Sequence, residues 1–123
     1  MTDGAHAFVA VAQSGELAEG QKRCVDVGGV KVALVRVEGR VHAIADTCPH
    51  RGASLSEGDL DGHTLYCPLH AWCFDVRSGW AFFPESAAVA AFPVREADGV
   101  ISVSPAGKDP RMTTWRPPSD VDR

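Results

Sequence analysis

Between Lys22 and Ala45 the apolar residues recur at every second position, and valine supplies most of them. A repeat of two sends alternate side chains to opposite faces of an extended strand, whereas a helix repeats its apolar face every three to four residues. The spacing predicts strands over 22–27, 30–37 and 40–45, the second with Val30, Val32 and Leu34 on one face in line with Arg36. Gly28-Gly29 and Glu38-Gly39 read as the two-residue turns that join them. A short strand is expected over 8–12 and a loop over 15–20. The last strands are expected over 89–95 and 100–103, joined through Asp98-Gly99. The pattern is antiparallel β, with no helical periodicity and no internal repeat.

From Asp46 to about Asp75 the texture changes. Valine becomes scarce while Gly, Pro, His, Asp and Ser accumulate, as in loops organised by a ligand. Within the polar run 54–60, Leu55 and Leu60 can tuck beneath such a site. Asp61-Gly62 is a turn signal leading into Leu65-Tyr66, and 71–75 reads as a strand closed by Arg77-Ser78-Gly79. The aromatic stretch 80–86 has two readings, core packing or a covering loop. Residues 46–86 are therefore expected to form a small subdomain inserted in a β framework, all within one domain over 1–105. Beyond it the periodicity stops, and prolines interleaved with charges over 106–123 predict an extended or disordered tail, with Trp115 as the residue able to anchor it.

Length and charge narrow the function classes. A chain of 123 residues matches one domain, and its 45% apolar content is ordinary for a globular protein. No run approaches the eighteen apolar residues of a membrane helix. Met1 to His6 offers neither a positive start nor a following apolar stretch, so no signal peptide and a cytoplasmic location are expected. The net charge of −4 argues against nucleic-acid or membrane-surface binding and permits a basic partner.

The candidate chemistry lies in two short runs, Cys48-Pro49-His50-Arg51-Gly52 and Cys67-Pro68-Leu69-His70. Each offers a thiolate and an imidazole on a turn whose proline has φ already set. Two Cys and two His can hold zinc in a tetrahedron. Ordinary zinc modules pair Cys with Cys and His with His, whereas here each run supplies one of each. That order also suits a two-iron cluster, with both thiolates on one iron and both imidazoles on the other. A structural zinc module and an iron–sulfur site remain the two readings. The other cysteines, Cys24 and Cys73, sit in strand-like runs and read as buried small apolar residues, with a disulfide between them left open. His6, His42 and His63 read as non-ligands.

The run C-P-H-R-G-A-S-L, the sixteen residues between His50 and Cys67, and then C-P-L-H-A-W closely resemble the paired boxes of the Rieske family. The resemblance covers roughly residues 8–104. It implies an all-β fold, an antiparallel β-sandwich base with an inserted cluster-binding subdomain. It implies one [2Fe–2S] cluster per chain, held by Cys48, His50, Cys67 and His70. Cys48 and Cys67 would lie on the inner iron and His50 and His70 on the outer one, making the imidazole edges the electron port. Phe83-Pro84 would be a third covering loop. Arg51 would steer an acidic partner or be a plain solvated charge. Family members of high potential add a disulfide and two hydroxyls near the cluster. The matching residues here are Ala53, Leu69, Trp72 and Phe74, none of which can serve, so a low-potential centre is expected. Ala71 departs from the glycine usual after the second histidine.

At this length an oxygenase catalytic domain is not expected, nor is a respiratory membrane anchor. The resemblance therefore implies a free-standing carrier with no substrate chemistry of its own. Its partners would be a flavin-containing NAD(P)H reductase and a terminal oxygenase of the aromatic-ring-hydroxylating type. The alternative is the small subunit of an assimilatory NAD(P)H nitrite reductase.

Overall fold

The computed structural model describes residues 8–49, 52–69, 72–84 and 86–110. Ten strands follow in chain order: β1 (Val9–Gln13), β2 (Lys22–Val27), β3 (Val30–Val37), β4 (Arg40–Ala45), β5 (Leu60–Asp61), β6 (Thr64–Tyr66), β7 (Cys73–Asp75), β8 (Ala81–Phe83), β9 (Val94–Ala97) and β10 (Val100–Val103). Among the described residues the helical pieces are single 3-10 turns at Ser14–Glu16 and Leu55–Glu57. The strands form three antiparallel sheets, ordered β1-β10-β9, β2-β3-β4 and β5-β6-β7-β8.

The turns act where the sequence places them. Glu38 (φ 55°) and Asp98 (φ 54°) each precede a glycine that is also left-handed. This is the pair of conformations that a tight hairpin matched to strand twist requires. The Glu19 carboxylate accepts the N–H groups of Glu38 (2.6 Å) and Gly39 (2.9 Å), and those bonds, Gly39's foremost, hold its pKa below the ordinary glutamate value. The turn after β5 falls one residue later than expected. Asp61 pairs with Thr64, so Gly62-His63 make the bend.

Strand β3 is the keel. An alternating strand usually shows one polar face, yet Val32 through Val35 are all buried. Val32 and Leu34 join Leu17, Val41, Phe92 and Ile101 in one core. Ala33, Val35 and Val37 enter a second core with Ile44, Leu55, Leu65 and Phe74. The middle sheet is thus covered on both sides, by the β1-β10-β9 sheet and by the β5–β8 subdomain. Each fully buried valine or leucine contributes about 1.5–3 kcal/mol relative to exposure. Arg36 marks the keel's polar end, donating to Glu96 (2.6 and 3.1 Å) and to the Leu17 carbonyl (2.6 Å).

Two expected elements change form. Residues 89–95 are not one strand, because their polar backbone is shared among several neighbours. Val89 N–H donates to Gly79, Phe92 N–H to Ala43 and Ala91 N–H to Lys108, while the Ala90 carbonyl accepts from Ala45. This segment stitches the subdomain to the middle sheet, and pairing in β9 begins only after Pro93, at Val94. The stretch 80–86 is also more regular than expected, for Ala81–Phe83 is the edge strand β8, with Phe82 buried and Phe83 exposed.

Of the segment expected to be a tail, residues 106–110 are described, and Lys108 pairs with Ala91 through bonds of 2.8 and 2.9 Å. Trp115 lies outside the described residues. Among the described residues no helix is long and apolar enough to cross a membrane.

Candidate metal centre

Cys48 sits on a miniature hairpin built from its own neighbours. Leu55 N–H donates to the Asp46 carbonyl (2.7 Å), Thr47 bridges Ser54, and Cys48 N–H donates to the Ala53 carbonyl (2.9 Å). At the tip, Gly52 N–H returns to the Cys48 carbonyl (2.8 Å). Gly52 has φ 76°, a left-handed value that a side chain would strain. Cys67 sits on a second hairpin closed in the same way. Its N–H donates to the carbonyl of Trp72 (2.8 Å), again five residues on, and Tyr66 pairs with Cys73 behind it.

Both cysteines are buried, at 0% and 3% exposure, and both belong to the core that holds Leu55, Leu65 and Phe74. His50, Arg51, His70 and Ala71, which include the other two expected ligands, lie outside the described residues. Tyr66, Leu69 and Phe83 are exposed, and the backbone pairs Tyr66 with Cys73 and Cys73 with Phe83 in one row.

The remaining cysteines divide. Cys73 is buried as expected, whereas Cys24 is exposed. The Cys24 thiol donates to Asp46 Oδ2 (3.6 Å), so it forms no disulfide with Cys73. Partial burial, and then the Asp46 charge, push the Cys24 thiol above its ordinary pKa. His42 and His63 face each other edge-on at 5.6 Å. His42 Nε2 is buried without a hydrogen-bond partner, and desolvation, followed by His63, lowers its pKa. Among the described residues no group of three His, Cys, Asp or Glu side chains is placed to hold a metal ion.

Asp46 is the residue that pattern reading passed over. It is 4% exposed. Its Oδ2 accepts the Ser54 hydroxyl and its Oδ1 the Ser56 N–H (2.8 Å). A buried carboxylate must find donors, and the Ser-x-Ser spacing on the far side of Cys48 supplies them. That spacing was visible in the sequence, but only pairing across the hairpin gives it meaning.

The chemistry of this donor set suits an iron–sulfur group. Two soft thiols leave like-built hairpins and enter one apolar core, where water is excluded. A family model, the Rieske [2Fe-2S] domain, matches residues 7–93. The chain belongs to the Rieske [2Fe–2S] domain family. Its cofactor is accordingly a Rieske-type [2Fe–2S] cluster.

Relatives agree along most of the length. The chain is 37% identical over 106 residues to the ferredoxin component of the alkene monooxygenase system of Xanthobacter autotrophicus, covering 83% of this chain and 86% of that one. The ferredoxin of carbazole 1,9a-dioxygenase from Nocardioides aromaticivorans superposes with a TM-score of 0.77 at 34% identity, over 80% of this chain and 98% of that one. A chain in the complex of reduced oxygenase and oxidised ferredoxin of carbazole 1,9a-dioxygenase matches with a TM-score of 0.76 at 34% identity, over 82% and 95%. The all-β Rieske ferredoxin fold expected from the sequence is thereby borne out.

Proposed function

We propose that this protein is a ferredoxin that carries single electrons from a flavin-dependent NAD(P)H reductase to a terminal oxygenase in the cytoplasm, with Cys48, His50, Cys67 and His70 as its cluster ligands. The observation that carries the reading is the pair of like hairpins that bring Cys48 and Cys67 into one buried core. His50 and His70 follow those cysteines by two and three residues in the sequence. When bound, the cluster supplies reversible one-electron chemistry, at roughly −150 to +300 mV for Rieske centres. The chain's own residues do the rest. Leu55, Leu65 and Phe74 keep water from the thiols, and the hairpin bonds fix the backbone at each cysteine. The exposed Leu69 and Phe83 offer a partner an apolar surface beside the site. Ala53, Leu69, Trp72 and Phe74 supply neither a disulfide nor a hydroxyl, which favours the lower part of the potential range.

The relatives named above work in alkene monooxygenase and carbazole dioxygenase systems. An oxygenase of the ring-hydroxylating type is the acceptor proposed here. The test is the visible and EPR spectrum of the purified chain, followed by electron transfer from a flavoprotein reductase to candidate oxygenases. A red-brown protein with two irons and two labile sulfides per chain is expected, its EPR signal lost in Cys48→Ser and in His70→Ala. Retention of the Rieske spectrum in either variant overturns the ligand set. Turnover with a sirohaem nitrite reductase, and with no oxygenase, overturns the acceptor.

A further inference from the structure

Asp46 is two residues from Cys48, a span of at most about 7 Å of extended chain. It is almost wholly buried, and every group that meets its carboxylate is neutral: the Ser54 hydroxyl, the Ser56 N–H and the Cys24 thiol. The Ser54 hydroxyl also lies 2.9 Å from that of Ser56, which extends the network along the returning arm. Among the described residues no lysine, arginine or histidine forms an ion pair with Asp46. Its main chain is occupied as well, N–H to the Lys31 carbonyl (3.0 Å) and C=O from Leu55. One side chain thus ties β2, the root of the first cysteine hairpin and the 3-10 turn into a single unit.

We propose that Asp46 is a positioning residue for the cluster, clasping the first hairpin and setting the potential through its buried charge. The inference rests on Cys48 being a cluster ligand. The clasp follows from geometry, since the carboxylate bonds to the arm opposite the one that carries it, and the hairpin cannot open without breaking those bonds. The field follows from electrostatics. Reduction adds one negative charge to the cluster, and a fixed negative charge nearby opposes that step. Two unit charges about 10 Å apart at an effective dielectric of about 20 interact strongly enough for roughly a tenfold change in an equilibrium constant. Hydrogen bonds from neutral donors disperse the charge of Asp46 without cancelling it.

The experiment compares the holoprotein with its Asp46→Asn and Ser54→Ala variants. Two quantities are read, the midpoint of an EPR-monitored redox titration and the rate at which a chelator bleaches the visible spectrum. Asp46→Asn removes the charge and keeps the shape, so its midpoint should rise by about 59 mV, the one-electron equivalent of tenfold. Ser54→Ala keeps the charge and removes a donor, so its midpoint should stay or fall while bleaching speeds up several-fold. An Asp46→Asn midpoint that is unchanged or lower overturns the proposal, as does a rise of equal size in Ser54→Ala. Should Asp46→Asn fail to retain the cluster, Ser54→Ala decides alone, and bleaching at the wild-type rate overturns the clasp. A wild-type protein without a two-iron cluster would instead sink the ligand assignment, a failure the spectrum separates from this one.

Discussion

The two cysteine hairpins are closed by the same bond, from the cysteine N–H to a carbonyl five residues on, yet they are anchored differently. The first follows directly on β4, but few ladder pairs join its own two arms. Thr47 and Ser54 make an isolated bridge beside three backbone bonds, and the Asp46 carboxylate adds side-chain bonds across the arms. The second grows out of a ladder, with Tyr66, Leu65 and Thr64 paired to Cys73, Phe74 and Asp75, and β7 paired onward to β8. The first loop adds side-chain bonds to its backbone closure, whereas the second extends a backbone ladder. Side-chain anchors are set by single residues and fail singly, whereas a ladder spreads the same task over bonds that every sequence can make.

The largest expected effect tests the ladder from beneath. Phe74 is wholly buried under the second hairpin, and Phe74→Ala should cost about 3–5 kcal/mol in denaturant unfolding. Next is Gly58, where the arm of the first hairpin crosses the strand of the second. A Cβ there would stand 1.6 Å from the Tyr66 carbonyl oxygen, and that backbone cannot swing aside as a side-chain tip would. Gly58→Ala should cost about 1–3 kcal/mol and speed cluster loss, because both hairpins must shift.

A matched pair then sharpens the contrast. Ser54→Ala should lower stability by about 1 kcal/mol, since it takes a donor from a buried carboxylate. Thr64→Ala, beside the second hairpin, removes no bond described for its side chain and should stay within about 0.5 kcal/mol. Equal effects from the two would erase the distinction between the loops.

The smallest effect depends on pH. Burial favours neutral His42 in the folded state, so its folded pKa lies below its unfolded one. The unfolded chain then takes up the proton first. Stability is therefore intact above the unfolded value of about 6.5 and declines as pH falls below it. Thermal melts between pH 7.5 and 5 should show that slope, and His42→Phe should flatten it.

Much of this was legible in short range. Val30, Val32 and Leu34 marked a strand because alternation is a local property, and Glu38-Gly39 and Asp98-Gly99 marked hairpins because a turn needs only its own backbone angles. Other features depend on partners distant in the chain. Ala33 and Val35 lie on the other face of β3, which the subdomain buries. Residues 89–95 resembled a strand by composition, yet their bonds go to Gly79, Ala43, Ala45 and Lys108, which no local window contains. Cys24, read as a buried apolar residue, proves to be an exposed thiol bonded to Asp46, a contact between positions 22 apart.

By itself the sequence determined which candidate donors the chain offers. Cys-Pro-His and Cys-Pro-Leu-His carry their donors in their own side chains, and turn-forming residues flank them wherever they are placed. Only the tertiary structure decided which residues stand behind Cys48 and Cys67. Burial and hydrogen bonding belong to pairs of segments, and Asp46 gains its role only when Ser54, Ser56 and Cys24 are folded against it.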